Sequence, residues 1–119
     1  MGSYNRYKGE FCCHNRYLLN DILKREWNFD GVVISDWGGV HDTKQAIENG
    51  LDMEFGSWTD GLTWGASNAY DNYYLARPYL ELLRSGEASE VMLDDKARRV
   101  LPLIFRTAMN RRKPFGSLN

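Results

Sequence analysis

The sequence predicts an α/β fold, and within that class the last two to three βα units of a (β/α)8 TIM barrel plus its closing helices. Three observations predict it. Apolar residues recur at helical spacing in several separate segments. Between two of these segments lies a short β-branched run, Val32-Val33-Ile34, that does not alternate, as expected of a strand covered on both faces in a parallel sheet. The alternation of helix and strand implies such a sheet, yet the 119 residues fall well short of the ~250 that a closed barrel takes.

The elements follow in order. Met1 to Asn5 reads as the stub of an earlier strand. From Asn15, an N-cap residue, Leu18, Leu19, Ile22, Leu23 and Trp27 recur at helical spacing, and Lys24-Arg25 suit the C-terminal end. Asn28-Phe29-Asp30-Gly31 breaks that pattern before the run at Val32. Val32–Ser35 is therefore expected as a buried parallel strand between helices near Asn15–Trp27 and Thr43–Asn49. In the second helix Asp42 is the N-cap candidate, with Gln45 three residues on, and Asn49-Gly50 is the stop. Leu51-Asp52-Met53-Glu54-Phe55 alternates apolar and acidic residues, as a strand can.

Residues 56–72 are rich in Gly, Ser, Thr, Asn and Asp and carry Trp58 and Trp64. They read as a long loop, a feature often tied to function. Pro78 suits the first turn of a helix through Leu80, Leu82 and Leu83, closed by Gly86. Asp94 or Asp95 is expected to cap a last helix with Ala97, Val100, Leu101, Ile104, Phe105, Ala108 and Met109 on one face. Pro102 inside it predicts a kink. Residues 110–119 form a tail.

Composition narrows the function classes. The net charge is −1, with 43% hydrophobic and 26% charged residues, which is ordinary for a soluble domain. Arg111-Arg112-Lys113 is too small a basic cluster to argue for nucleic acid. No apolar stretch reaches the ~20 residues of a membrane span, and the first residues lack the layout of a signal peptide. The neighbours Cys12-Cys13 with His14 lack the second ligand pair that a structural zinc needs. Aromatic residues make 13% of the chain. Aromatic faces pack cores and also stack on sugar rings, and composition does not separate the two uses.

Asp36 is the leading candidate for chemistry. It follows the buried run, at the strand end where barrels gather their catalytic groups. Trp37 and the glycines at 38 and 39 come next. A carboxylate so placed can attack an anomeric carbon, an indole can face the sugar, and glycines let backbone come close. The alternative at this point is an Asp that only caps the following loop.

Ser35-Asp36-Trp37-Gly38 resembles the nucleophile segment of the family 3 glycoside hydrolases. Further segments resemble the same family in the same order. Ser3-Tyr4-Asn5 is similar to the end of its sixth barrel strand. Leu18 to Leu23 and Glu26 to Gly31 are similar to the helix before the seventh, Asn49 to Glu54 to the eighth-strand segment, and Ala97 to Leu101 to the closing helix. The order and spacing agree from about Met1 to Phe105.

The resemblance implies a retaining β-glucosidase in which Asp36 is the catalytic nucleophile. Trp37 packs beside the sugar in the subsite of the cleaved residue, Tyr4 lies near both, and Met1 matches a pocket-lining position. A tryptophan after the nucleophile is more typical of glucosidase members than of the xylosidase or N-acetylglucosaminidase members. Neither a metal nor an organic cofactor is implied. The implied partner is a β-glucoside or an oligosaccharide. The family's Lys-His pair and its acid/base Glu have no counterpart in this chain. The rival reading is therefore a truncated, non-catalytic piece with a structural or weak sugar-binding role. Self-association through an exposed barrel edge is expected in either case.

Overall fold

Residues 1–56 and 69–109 are described by the structure, a computed structural model. Asn15 opens the first helix as expected. Its Oδ1 accepts the Leu18 N–H at 3.0 Å, and its carbonyl accepts the Leu19 N–H at 3.0 Å. The helix Tyr17–Glu26 is then wound wide, with N–H groups reaching back five residues, as Trp27 does to Ile22. Leu19 is buried, whereas Trp27 is 67% exposed. This corrects the expectation for Trp27. Wider winding places more residues in each turn, so position 27 leaves the stripe that ordinary helical spacing assigns it.

Val32–Ser35 is extended, and one parallel bridge joins Ile34 to Met53. The Ser35 N–H reaches the Met53 carbonyl at 3.0 Å, and the Met53 N–H reaches the Val33 carbonyl at 3.1 Å. That pattern leaves the Ile34 carbonyl for the other edge, where the Gly2 N–H takes it at 2.6 Å. Three extended segments thus lie side by side: Gly2, Val33–Ser35 and Asp52–Met53. The expectation of a strand buried along its length is corrected. Val33 and Ser35 are buried, but Val32 and Ile34 are only half-buried. Side chains alternate across a strand. The odd positions are buried, and the even ones face a side that the described residues cover only in part.

A hairpin that the sequence did not announce follows the first segment. β1 (Arg6–Tyr7) pairs antiparallel with β2 (Glu10–Phe11). Lys8 and Gly9 turn it with φ of 51° and 89°, the left-handed backbone that tight hairpins demand.

α1 (Thr43–Glu48) begins where Asp42 accepts the Gln45 N–H at 2.8 Å and ends at Asn49, followed by Gly50 at φ 100°. α2 (Arg77–Ser85) carries Pro78 in its first turn and closes on left-handed Gly86. Its buried residue is Tyr79, while Leu80 is exposed. α3 (Glu90–Ile104) is capped by Ser89, whose Oγ accepts the Val91 N–H at 3.2 Å. This corrects the assignment of the cap to Asp94 or Asp95: Ser89 takes the extended conformation of an N-cap, five residues before the first of them. The chain stays helical through Pro102 and changes winding from Phe105 to Met109.

Leu19, Val33, Val40, Ala46 and Leu51 form the core, with Leu23, Phe29, Tyr74 and Leu75 packed against it. Of the expected loop, residues 57–68 lie outside the described residues, as does the 110–119 tail, while Ala69–Asn72 form a short 3-10 turn.

Candidate active site

Asp36 leaves the central extended segment and is partly exposed. Its Oδ1 accepts the N–H of Trp37 at 2.8 Å, and its carbonyl accepts the N–H of Gly39 at 3.0 Å. Gly38 makes this tight turn possible with φ 71°. Gly39 is needed for another reason: a Cβ there would lie 2.6 Å from the Cys13 sulfur. Cys13 is completely buried, and burial pushes its thiol pKa up, with the Asp36 charge adding to the rise. Its S–H donates to the Ser3 carbonyl at 3.5 Å. The sulfur therefore fills the space between the first residues and the turn at Asp36.

That packing brings Tyr4 to Asp36. Partial desolvation, then the Asp36 carboxylate, raises the phenol above its ordinary pKa. Tyr4 is still 53% exposed, and Met1 is 71% exposed.

Trp37 is 57% exposed and tilts against Phe55, with ring centroids 4.6 Å apart. The Gly38 N–H donates to the Gly56 carbonyl at 3.1 Å, and a Cβ on Gly56 would come within 2.4 Å of the indole. Trp37 and Phe55 thus make an aromatic wall beside the carboxylate, seated on the bare backbone of Gly56. Phe55 is held from behind, since its N–H donates to the buried Ser35 hydroxyl at 2.7 Å.

The nearby carboxylates and His41 have partners of their own. Both Glu54 oxygens accept backbone N–H groups, from Tyr74 at 3.1 Å and Leu75 at 2.6 Å. Its carboxylate is thus engaged in holding the chain after the loop. Asp52 is buried, with Oδ1 on Lys24 at 2.7 Å and Oδ2 on the Val33 N–H at 2.8 Å. His41 is exposed and stacks on Phe11 at 3.8 Å, while its N–H donates to His14 Nε2 at 3.3 Å. Desolvation, with His14 and Arg6 nearby, lowers the His41 pKa. Trp58 and Trp64 lie outside the described residues.

Of the residues that the sequence singles out, Trp37 follows Asp36 in the turn, and the Asp36 charge acts on the Tyr4 phenol. Sequence reasoning missed Cys13, which carries no recognisable pattern, and Phe55, which the alternation after Gly50 could have shown.

The family model described as "Glycosyl hydrolase family 3 N terminal domain" matches residues 1–103. The chain belongs to glycosyl hydrolase family 3. The matched domain is the family's N-terminal one, so a placement of the chain in the C-terminal part of its barrel domain is not something that the match itself supplies. Beta-glucosidase BoGH3A of Bacteroides ovatus is 57% identical over 99% of the chain. Thermostable beta-glucosidase B of Acetivibrio thermocellus is 36% identical over 95% of it. The chain spans only 16% and 13% of those two proteins. Among solved structures, the GH3 beta-glucosidase of Bifidobacterium adolescentis superposes with a TM-score of 0.75 at 27% identity. That overlap covers 98% of this chain and 15% of that one. DesR, a beta-glucosidase from Streptomyces venezuelae in complex with D-glucose, gives a TM-score of 0.75 at 27% identity, covering 95% of this chain and 14% of that one.

Proposed function

We propose that this chain is the nucleophile-bearing part of a retaining β-glucosidase, and that it forms the last βα units and closing helices of an incomplete (β/α)8 barrel. One observation carries the reading: Asp36 stands partly exposed at the end of an extended segment, followed by the exposed Trp37 indole with Phe55 against it. A carboxylate so placed is what retaining hydrolysis needs on one side of the scissile bond. Asp36 attacks the anomeric carbon of a terminal β-D-glucosyl residue and forms a covalent glycosyl-enzyme. An acid/base carboxyl about 5–5.5 Å away protonates the leaving oxygen and then activates water. The Trp37 indole packs on the apolar face of the glucosyl ring, Tyr4 holds the carboxylate in place, and Met1 lines the pocket.

The proton donor comes from residues outside this chain. Glu54 is the local carboxylate next in line, and its two oxygens are already engaged by backbone N–H groups. The same fact favours the rival reading for the 119 residues by themselves, which is a structural or weakly sugar-binding piece. Residues 1–119 together make one barrel portion in this proposal. In the complete enzyme, Asp36→Ala should lower turnover of an aryl β-glucoside by several powers of ten, because no covalent intermediate can form. Turnover within tenfold of the parent would remove Asp36 from the nucleophile's role.

A further inference from the structure

Behind the segment that ends in Asp36 lies a group of buried charges that the chemistry above does not use. Asp52 has a fully buried side chain, yet it is not a catalytic candidate, since both its oxygens are spoken for. Oδ1 meets Lys24 Nζ at 2.7 Å and lies 3.9 Å from Arg99 Nε. Oδ2 takes the Val33 N–H at 2.8 Å, while the Asp52 N–H returns to the Val33 carbonyl at 2.9 Å. One residue thus grips both polar backbone groups of Val33, three residues before Asp36.

The cations around it are committed as well. Arg99 donates to the carbonyls of Phe29 at 3.1 Å and Gly31 at 3.3 Å, the approach to the same segment. One helical turn earlier, Lys96 donates to the carbonyls of Ala46, Ile47 and Leu51, the last of these next to Asp52. One face of α3 therefore clamps the entry of both paired segments, and Lys24 joins from the opposite helix.

A buried ion group is a poor way to gain stability alone, since desolvating its charges offsets much of their attraction. It is a good way to fix geometry, because each bond has a defined partner and removing one member leaves a charge uncompensated. We infer that Asp52, held by Lys24 and Arg99, is the positioning residue that sets the direction in which Asp36 leaves the sheet. This inference rests on the nucleophile reading of Asp36. The segment from Val33 to Asp36 is short and extended, so a displacement at Val33 is carried to the carboxylate with little loss. An error of ~1 Å in a reacting group can cost ~100-fold in rate.

The test uses the complete enzyme with Asp52→Asn, which keeps the shape and an acceptor for Val33 but removes the charge that holds Lys24 and Arg99. The expected result is a kcat lower by about tenfold to a hundredfold, with KM for an aryl β-glucoside unchanged within about twofold. The variant should still label at Asp36 with a fluorinated glucoside, only more slowly. Arg99→Lys serves as the second variant should Asp52→Asn not fold. It keeps the charge but cannot hold the Phe29 and Gly31 carbonyls through one nitrogen while facing Asp52 with another, and it should show the same split in a milder form. A folded variant with unchanged kcat, or with a loss in KM alone, would overturn the inference. So would a lowered melting temperature with no kinetic effect. Failure of the nucleophile reading would show separately, as labelling of the parent enzyme at a residue other than Asp36.

Discussion

At the residue scale, the turn after the central segment shows how few side chains a site of this kind requires from its surroundings. Asp36 and Trp37 were legible because a carboxylate and an indole after a β-branched run have a chemical meaning that sequence displays directly. The means of their placement were not legible. Cys13 is a small buried side chain whose sulfur lies where a Cβ on Gly2 or Gly39 would come within 2.8 Å or 2.6 Å. No spacing in the sequence links positions 2, 13 and 39, because the contact exists only after folding. Lys96 was hidden for the same reason: it reads as a solvated helix charge and is 7% exposed.

Burial lowers the pKa of Lys96 from its ordinary value to about 8. The folded chain then releases this proton near pH 8, whereas the unfolded chain keeps it to above pH 10. Between those values the unfolded state binds more protons, so the Lys96 contribution to stability rises with pH, by up to about 1.4 kcal/mol per pH unit. Below pH 8 both states are charged and the contribution is flat. Denaturant unfolding between pH 7.5 and 9.5 should show this rise relative to Lys96→Met, which has no such proton. Parallel stability profiles for the two chains would show that Lys96 titrates normally.

At the element scale, caps were the most readable features where the capping residue stands directly before an apolar pattern. Asp42, Asn15 and Gly86 behave as their positions predict. The sequence suggests an α3 that is five or six residues too short, because Val91, Met92 and Leu93 add a turn before the apolar face that the sequence displays best. Ser89→Ala should therefore lower stability by about 1 kcal/mol. Asp94→Ala and Asp95→Ala should each cost less, since neither caps the helix. Thermal unfolding of the three variants checks the assignment. The short extended segments were legible as strands from β-branched residues and alternation, but their pairing was not. Register is decided by partners elsewhere in the chain, and among the described residues the pairing of Val33–Ser35 rests on one parallel bridge to Met53 and a contact at Gly2.

At the scale of the whole molecule, the βα alternation correctly suggested helices packed on extended segments. It also suggested that something is left uncovered. Leu101 is 50% exposed, Ile104 42% and Phe105 56%, along the predicted face of α3. Val32 and Ile34 are half-buried on the side away from the core. Apolar surface of this kind favours association. The purified 119-residue chain should accordingly show a mass above that of a monomer in light scattering. It should not hydrolyse an aryl β-glucoside at a useful rate, for want of a proton donor. A well-behaved monomer with turnover that disappears in Asp36→Ala would show that these residues alone complete a site.

The central claim is that Asp36 becomes covalently bonded to glucose, and trapping that bond tests it most directly. A 2-deoxy-2-fluoroglucoside with a good leaving group slows the second step of retaining hydrolysis more than it slows the first, so the glycosyl-enzyme accumulates. Peptide mapping of the inactivated complete enzyme by mass spectrometry should then find one added fluoroglucosyl group, on the peptide containing Ile34-Ser35-Asp36-Trp37 and at Asp36. Labelling at Glu54, or rapid turnover of the reagent with no adduct on this segment, would contradict the account.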